Sequence, residues 1–492
     1  MGSLLDELKW KAQLAKWKAE DLARDARREL ERIETDVRIN HPEAVARAEQ
    51  AIGRIGDAIE TTVTQTAQTI ATLISEPHTM EHKVIMLGGR RAGKSTILAS
   101  ILHLLKEGTP GYLAIADVTD YNQKLLGTDR KMYRIPTLQN KRAEAEGFIL
   151  EKKKGTSFLV DMAPSKVSAS YVLNVKENRG NNTIKLEFVD VPGEWMRQGT
   201  AENAKLEEIV HDSDVFVIAI DTPFLMQDGE EQYSSLLNET YNRIPEIEST
   251  LVKNMKIEET TLDTKDGEQS FKLDRKLILL CPVKCEKWVQ EHRIGEVTQK
   301  VKKAYKNLIK QFVTIPEVEM WIMPISTVGG LQVDQLRPAM RFYKDEDDKL
   351  GITCHEDPLT GVIINGEGKV IRRTPASFVE PDEMWKIDHV RFPLAWYKLN
   401  GRGFKPEFCE QPGYHILKFL IGKEENFIET EARVEREKLD DMGPIRRWLK
   451  ILFHPTFGQY LPIWKQAIQG LQSDGLIKTN GDGFERVTHP IS

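Results

Sequence analysis

The sequence predicts an α/β domain built on a mainly parallel sheet with flanking helices. Three observations lead to this prediction. An apolar strand, a glycine-rich turn and a helix follow one another over residues 84–102. Short apolar runs at residues 215–220 and 276–281 have the length and flanks of buried parallel strands. Helical patterns separate these runs, and strands that alternate with helices are typical of a parallel α/β sheet.

Length, composition and charge limit the classes of protein to consider. The chain has 492 residues, of which 40% are hydrophobic and 29% are charged, as is usual for a globular protein of several domains. The net charge of -6 argues against general nucleic-acid binding. The sequence shows no apolar signal core, and its apolar runs are too short to span a bilayer, so we expect a cytoplasmic protein. Cys281 and Cys285 are four residues apart, and we interpret them as buried thiols rather than a metal site.

The glycine-rich turn carries the complete phosphate-loop pattern, Gly88-Gly89-Arg90-Arg91-Ala92-Gly93-Lys94-Ser95. Backbone N–H groups of such a turn and of the following helix surround phosphate oxygens. Lys94 is expected to reach the β- and γ-phosphates, and the Ser95 hydroxyl to ligate Mg²⁺. The sequence therefore predicts that residues Gly88 through Thr96 bind the phosphates of a nucleotide.

A second motif follows a predicted β-hairpin at residues 168–175 and 183–189. The second strand of this hairpin ends in Asp190-Val191-Pro192-Gly193-Glu194. Asp190 is predicted to join the Mg²⁺ shell, and the Gly193 N–H to meet the γ-phosphate. A phosphate loop followed by Asp-x-x-Gly at the end of a strand is typical of nucleotide switches.

Three further residues bear on hydrolysis and on sensing of the γ-phosphate. Glu194 occupies the position where many GTPases carry a glutamine that orients the attacking water. Arg91 is a candidate arginine finger in cis; alternatively, Arg90 and Arg91 both face solvent and only raise the local potential. Thr156 is our choice of the threonine that ligates Mg²⁺ and senses the γ-phosphate. The alternatives in the same region are Thr119, Thr128 and Thr137.

Base recognition is predicted at the ends of the last two strands. Lys284-Cys285-Glu286 follows the apolar run at residues 276–281 and keeps the charges of the Asn/Thr-Lys-x-Asp motif of GTPases. Lys284 would pack on the base and Glu286 would pair with guanine N1 and N2; the alternative is a pair of surface charges. Ser326 and Thr327 follow the strand predicted at residues 321–324 and are expected to contact the base oxygen.

The rest of the chain divides into four regions around a GTPase domain at residues 79–330. Residues 1–78 predict an α-helical hairpin or coiled coil, whose apolar stripes suit packing in a bundle, pairing with another copy or, less well, membrane contact. Residues 331–411 are turn-rich and are expected to form small strands or an irregular excursion over the nucleotide face. A helix is expected at residues 412–430. Residues 431–492 predict a helical extension, including a helix at 444–453, that ends in a β-hairpin of residues 476–478 and 484–487. Within the GTPase domain, we expect one helix at 297–312 and a surface turn at 260–267.

The chain resembles the TRAFAC-class P-loop GTPases, and within them the YcjX-type and bacterial double-GTPase-like families. Three strings carry this resemblance, namely Arg91-Ala92-Gly93-Lys94-Ser95, Asp190-Val191-Pro192-Gly193-Glu194-Trp195 and Lys418-Phe419-Leu420-Ile421-Gly422-Lys423. The resemblance implies binding of GTP, GDP and Mg²⁺, slow hydrolysis, and a regulatory role in stress or conflict in bacteria. It also implies that residues 331–411 are an irregular insertion and that residues 412–430 are the closing helix of the GTPase domain. Guanylate-binding proteins, which are similar only in the loop arginine, use such a residue as an internal finger, which supports Arg91 by analogy.

The resulting hypothesis is a bacterial cytoplasmic GTPase switch that acts on a protein effector through its helical arms. One alternative is a dynamin-like, self-assembling GTPase associated with membranes. Another is an interaction scaffold that keeps the nucleotide without hydrolysing it. Nucleotide-dependent assembly on liposomes would distinguish the first alternative, and GTP that survives for hours with Mg²⁺ would distinguish the second.

Overall fold

The computed structural model of the chain describes residues 79–89, 92–107, 113–119, 124–126, 132–134, 137–151, 158–159, 167–177, 183–196, 201–227, 242–338, 343–344, 350–351, 354–356, 363–365, 370–372, 393–440 and 461–489. The predicted helices at 1–78 and 444–453 lie outside the described residues, as do Arg90, Arg91 and Thr156. Within the described ranges, no helix is both long enough and apolar enough to cross a bilayer.

The described strands, in chain order, are β1 (Thr79–Gly88), β2 (Leu113–Thr119), β3 (Lys124–Leu126), β4 (Met132–Arg134), β5 (Phe158–Leu159), β6 (Ala169–Glu177), β7 (Thr183–Asp190), β8 (Val215–Asp221), β9 (Thr260–Thr264), β10 (Gly267–Phe271), β11 (Lys276–Val283), β12 (Val318–Ile322), β13 (Leu331–Pro338), β14 (Tyr343–Lys344), β15 (Leu350–Gly351), β16 (Cys354–Glu356), β17 (Ile363–Asn365), β18 (Val370–Arg372), β19 (Pro393–Leu399) and β20 (Glu485–Arg486). The helices are α1 (Lys94–Glu107), α2 (Leu138–Glu151), α3 (Ala201–His211), α4 (Thr222–Leu225), α5 (Ile244–Asn254), α6 (Glu286–Gln290), α7 (Ile294–Ala304), α8 (Lys306–Phe312), α9 (Glu410–Asp440) and α10 (Leu461–Ser473).

An eight-stranded sheet in the order β2-β6-β7-β1-β8-β11-β12-β20 forms the centre of the described structure. The five strands β7, β1, β8, β11 and β12 are mutually parallel. The strands outside them, β2, β6 and β20, pair antiparallel with their neighbours. The predicted α/β class with a mainly parallel sheet is therefore confirmed.

Residues that alternate along the central strands pack against helices on opposite faces of this sheet. In β1, Val84 and Met86 belong to one core, and Ile85 and Leu87 belong to the other. Helices α1, α9 and α10 contribute to the first core, and α3, α5, α7 and α8 contribute to the second. All seven positions of β8 are buried, which explains why its first six residues are continuously apolar.

The hairpin predicted at residues 168–175 and 183–189 is confirmed. Strands β6 and β7 pair antiparallel from Ala169 opposite Asp190 to Lys176 opposite Thr183. Strand β7 then pairs parallel with β1, with Asp190 opposite Met86. This register places the end of β7 beside the end of β1, at the carboxyl edge of the sheet.

One local prediction within this domain is wrong, and a second is too broad. The single helix expected at residues 297–312 is two helices, α7 and α8, separated at the buried Tyr305, which has a non-helical ψ of 19°. Apolar spacing continues across Tyr305 and gives no sign of the break. The surface turn expected at residues 260–267 is confined to two residues between β9 and β10, because Thr264 Oγ1 closes the turn by donating to the Gly267 carbonyl at 2.6 Å.

The predicted β-hairpin at the end of the extension is also wrong. Residues 476–478 form no strand, since the Leu476 and Ile477 N–H groups donate to the Leu471 carbonyl at the end of α10. Strand β20 instead pairs antiparallel with β12 and extends the central sheet. An unpaired edge strand presents free N–H and C=O groups, and β20 satisfies part of that edge.

The region predicted to be an irregular insertion contains a strand pair next to the site described below. Strands β13 and β19 are antiparallel, from Leu331 opposite Leu399 to Pro338 opposite Pro393, and β5 adds a third strand. Helix α9 begins at Glu410 and continues through residue 430 to Asp440. The predicted closing helix and the start of the predicted extension are thus one continuous helix.

Candidate functional site

The turn between β1 and α1 is shaped by two glycines with positive φ. Gly88 has a φ of 143°, and a Cβ placed there would lie 2.6 Å from the Ala219 carbonyl oxygen of β8. Gly93 has a φ of 102° and lies near Val283. A Cβ placed on Gly93 would be 3.6 Å from Cγ2 of Val283. Only glycine combines this backbone conformation with this approach to β8, so the fold itself requires a glycine at position 88.

The side chain of Lys94 is held inside the turn. Lys94 is 7% exposed, and its Nζ donates to the carbonyls of Gly88 and Gly89, both at 3.2 Å. The N–H of Ala92 also donates to the Gly89 carbonyl at 3.3 Å, and the Ile97 N–H donates to Gly93 at 3.0 Å. The Lys94 ammonium therefore lies inside the loop. Lys94 is also the first residue of α1, and the N–H groups at the start of a helix have no intrahelical partners and favour anions.

The two sequence motifs meet at Ser95 and Asp190. The Ser95 hydroxyl donates to Oδ2 of Asp190, which is only 1% exposed. The second oxygen of the same carboxylate, Oδ1, is buried and has no hydrogen-bond partner among the described residues. A buried carboxylate oxygen without a partner is unusual in a folded protein and needs an explanation. A hydroxyl beside a carboxylate is an oxygen donor set that suits Mg²⁺.

Gly193 lies immediately beyond this pair. It is buried and begins a short 3₁₀ helix, Gly193–Met196, after a turn in which the Trp195 N–H donates to the Pro192 carbonyl at 3.0 Å. Asn203 of α3 donates to the Trp195 carbonyl at 3.3 Å and ties this turn to the next helix. The backbone of Glu194 belongs to the 3₁₀ helix, whereas its side chain lies outside the described residues, as do Arg90, Arg91 and Thr156.

The predicted base-reading residues lie at the ends of β11 and β12. Glu286 is the first residue of α6 and is 4% exposed. Its Oε1 accepts from the N–H groups of Val328 at 3.0 Å and of Gly329 at 3.3 Å. Burial raises the pKa of Glu286, and the Val328 N–H acts in the opposite direction. Glu286 is therefore not a surface charge; it holds the loop of residues 326–330, which we call the β12 loop.

The β12 loop is enclosed by the segment at residues 400–407. A Cβ on Gly329 would lie 1.8 Å from the Lys405 carbonyl oxygen, and a Cβ on Gly330 would lie 2.1 Å from that of Gly403. Ser326 and Thr327 are both buried, and the Thr327 carbonyl accepts from the Ser100 hydroxyl of α1 at 3.0 Å. The loop that follows β12 is thus connected both to the phosphate-loop helix and to the chain beyond β19.

Lys284 is held by two residues that we did not single out from the sequence. It donates from Nζ to Oδ2 of Asp221, the last residue of β8, and hydrogen-bonds Tyr397 of β19. A signal for Asp221 was present, because a carboxylate directly follows the apolar run at 215–220, at the sheet edge where ligands bind in α/β folds. Tyr397 lies more than a hundred residues beyond Lys284, and no sequence pattern links the two.

The two cysteines near this edge are buried, as predicted. The Cys285 thiol donates to the Pro282 carbonyl at 3.3 Å and contacts the Thr222 hydroxyl at 3.3 Å. Burial raises the pKa of Cys285 to about 12 and that of Cys281 further. Across the described ranges, no group of three or more His, Cys, Asp or Glu side chains is arranged to hold a metal ion.

Comparison with known proteins adds little to this description. The chain matches no protein-family model and no curated protein. Among solved structures it is similar to the S. cerevisiae Ski7 GTPase-like domain bound to GTP, with 17% identity and a TM-score of 0.26 over 53% of this chain and 45% of that one. The same domain bound to GDP and inorganic phosphate gives 13% identity and a TM-score of 0.24, over 68% and 77% of the two chains. Likeness this low establishes neither family nor function.

Proposed function

We propose that the chain binds GTP with Mg²⁺ at the carboxyl edge of its parallel sheet and hydrolyses it to GDP as a molecular switch. The observation that carries this proposal is the pairing of Ser95 with Asp190 beside a glycine turn that encloses Lys94. Two motifs about a hundred residues apart, each assigned to phosphate or Mg²⁺ from sequence alone, lie in contact in the folded chain. A structural role for the turn alone would not explain this meeting.

The phosphate contacts follow from the turn and from Lys94. The backbone N–H groups between Gly88 and Thr96 would surround the β-phosphate, and the Lys94 ammonium would exchange its two carbonyl acceptors for β- and γ-phosphate oxygens. A charged donor to phosphate is favoured over a donor to a neutral carbonyl. Gly193 would offer its N–H to the γ-phosphate, so the turn at Gly193–Met196 would change when that phosphate leaves.

Ser95 and Asp190 fit a magnesium ion. The unpartnered Oδ1 of Asp190 and the Ser95 hydroxyl supply hard oxygen donors, and this chain offers Oδ1 no other hydrogen bond among the described residues. Bound Mg²⁺ would neutralise charge on the β- and γ-phosphates. We propose that Glu194 orients the attacking water, that Arg91 neutralises charge as an internal finger, and that Thr156 completes the metal shell.

Guanine selection is assigned to Lys284, Glu286 and the β12 loop. Lys284 would pack on the base, and Glu286 would read guanine N1 and N2 with Oε2, because Oε1 already accepts from two backbone N–H groups. Ser326 and Thr327 would contact the base oxygen, and the Ser326 hydroxyl is buried with no hydrogen-bond partner in the described part of the chain. The proposal therefore specifies GTP rather than ATP.

Calorimetric titration of the purified chain with Mg·GTP and Mg·ATP tests this proposal, beside Lys94→Ala. We expect wild-type protein to bind GTP more tightly than ATP. Because Lys94 would donate charged hydrogen bonds to phosphate, its loss should weaken GTP binding about 10- to 100-fold and abolish turnover. The matched control is Lys310→Ala, since Lys310 is exposed on α8.

The result is read from three comparisons. GTP binding and release of phosphate by wild-type protein, retained in the Lys310 variant and lost in the Lys94 variant, support the GTPase assignment. A preference for ATP overturns the assignment of the base-reading residues. Equal affinities of wild-type protein and Lys94→Ala overturn the whole nucleotide site.

A further inference from the structure

A partly buried charge pair lies at the base end of the proposed site. Asp221 is 3% exposed, its Oδ2 accepts from Lys284 Nζ, and its Oδ1 has no hydrogen-bond partner among the described residues. Lys284 has a φ of 61°, a left-handed conformation that is uncommon for residues other than glycine and costs free energy. The backbone strain and the ion pair therefore act on the same residue.

Tyr397 approaches the same lysine from a different part of the chain. It lies on β19, is buried, and hydrogen-bonds Lys284. Strand β19 pairs with β13, which begins directly after the β12 loop. The strand pair β13–β19 is thus joined to the base end of the site twice, once through the chain at Leu331 and once through Tyr397.

The charges in this cluster keep Lys284 protonated. Burial alone would lower its pKa, but the Asp221 carboxylate and the hydrogen bond to Tyr397 raise it above its usual range. Burial raises the pKa of Asp221, and the charge of Lys284 opposes that change. An ammonium held between a carboxylate and a phenol has little freedom to turn away, which is the state required of a lysine that packs on a base.

The position of Lys284 relative to the phosphate loop is also fixed. The residue before it, Val283, lies beside Gly93 of the loop, where a Cβ would be 3.6 Å from Val283 Cγ2. The N–H of the residue after it, Cys285, donates to the Ile325 carbonyl at 3.1 Å, just before the β12 loop. Lys284 therefore lies between the phosphate end and the β12 loop.

We propose that Asp221 and Tyr397 are positioning residues that hold Lys284 for contact with the nucleotide base, so that the β13–β19 strand pair forms one side of the base site. This role rests on the proposed function, since it needs a bound nucleoside. It assigns to β13–β19 a part in binding the base and no part in binding the phosphates.

Inorganic tripolyphosphate separates these two contributions, because it carries the phosphates without a base. Affinities for Mg·GTP and Mg·tripolyphosphate are measured for wild-type protein, Tyr397→Phe, Asp221→Asn and Lys284→Met. Loss of the uncharged partner of Lys284 should weaken GTP binding about 2- to 10-fold in Tyr397→Phe, and loss of the charged partner about 10- to 100-fold in Asp221→Asn. Tripolyphosphate affinity should stay at the wild-type value in both variants.

Two further variants exclude a purely structural effect. Tyr305→Phe is the matched control, because it also removes a buried hydroxyl, one with no hydrogen-bond partner among the described residues, and should leave both affinities unchanged. In a Lys284→Met background, Tyr397→Phe should cause no additional loss, since Tyr397 acts through Lys284. Thermal melts identify any variant that fails to fold, and Tyr397→Phe remains informative if Asp221→Asn does fail.

The failures of the two proposals look different. Wild-type protein that binds neither GTP nor tripolyphosphate overturns the proposed function and the positioning role with it. Wild-type binding of GTP that Tyr397→Phe and Asp221→Asn both reproduce overturns the positioning role alone. Equal weakening of GTP and tripolyphosphate, or losses that add in the Lys284→Met background, also overturn it.

Discussion

Carboxylates at the two ends of the central sheet differ in how many of their oxygens accept hydrogen bonds. At the amino end of β8, Asp214 accepts from His82 at 3.1 Å through Oδ2 and from Lys423 at 2.6 Å through Oδ1. Asp274 lies next to it and contacts Lys423 at 2.7 Å and Lys276 at 3.1 Å. At the carboxyl end, Asp190 and Asp221 are more deeply buried, yet each leaves Oδ1 without a hydrogen-bond partner among the described residues.

This contrast separates carboxylates whose two oxygens both have partners from carboxylates that keep one buried oxygen without a hydrogen-bond partner among the described residues. Asp214 and Asp274 connect β8 and β11 to helix α9 through Lys423, and both of their oxygens are engaged. Asp190 and Asp221 each have one buried oxygen that accepts no hydrogen bond among the described residues. Such an oxygen lowers the stability of the folded protein unless a bound group supplies a donor or a cation. Sites that bind ligands often break the rules that stabilise the rest of a fold. The predictions below test whether stability and binding separate in this way.

The largest expected effect on stability is at the amino end. Asp214→Asn removes the charge that pairs with His82 and Lys423, and the free energy of unfolding should fall by about 2 kcal/mol, less than for a completely buried pair because Lys423 keeps Asp274. Affinity for Mg·GTP should not change. Urea denaturation and calorimetry measure the two quantities, and Asp266→Asn on an exposed turn is the control. Weaker GTP binding by Asp214→Asn would remove the distinction between the two ends.

The opposite pattern is expected at the carboxyl end. Asp190→Asn removes a buried charge with an unsatisfied oxygen, so the folded protein should be as stable as wild type or slightly more stable. Affinity for GTP in the presence of Mg²⁺ should fall about 10- to 100-fold, because a charged ligand of the ion is lost. GTP is titrated into wild-type protein and into Asp190→Asn, once with Mg²⁺ and once with EDTA. The same loss in EDTA would show that Asp190 does not act through the metal.

The smallest expected effect concerns pH. Burial opposes ionisation of Asp214, but the hydrogen bond from His82 and the charge and hydrogen bond of Lys423 hold its pKa well below the ordinary value of 3.8. A carboxylate with a lowered pKa in the folded state contributes stability above pH 3.8 and loses it as the pH falls towards the folded pKa. Wild-type protein should therefore lose about 1 kcal/mol more than Asp214→Asn between pH 5 and pH 3, as measured by urea midpoints. Parallel pH profiles would contradict this assignment.

Sequence reasoning succeeded where local signals and strand edges determine position. The phosphate loop, Asp190 and the β6–β7 hairpin are each encoded by contiguous residues, and parallel pairing of β7 with β1 brings them together. The surroundings of Lys284 and Glu286 were only half predicted. Glu286 has the expected position, but whether its side chain faced solvent, base or backbone depended on the β12 loop about forty residues later.

Two of the failures have a common physical origin in contacts between distant residues. Nothing local indicates that β20 pairs with β12 instead of forming a hairpin, since an edge strand accepts whichever segment the fold brings to it. Tyr397 reaches Lys284 for the same reason. The break at Tyr305 differs, because there a buried ring interrupts a helix without interrupting its apolar period.

The pairing of β20 with β12 also has a consequence for synthesis of the protein. Strand β12 and the rest of the parallel sheet leave the ribosome long before residues 485–486 do, so the edge of β12 stays uncovered while the chain between them is translated. Translation proceeds at about 5–20 residues per second, which leaves that edge open for roughly ten to thirty seconds. During this interval the nascent chain presents a sheet edge suited to strand addition.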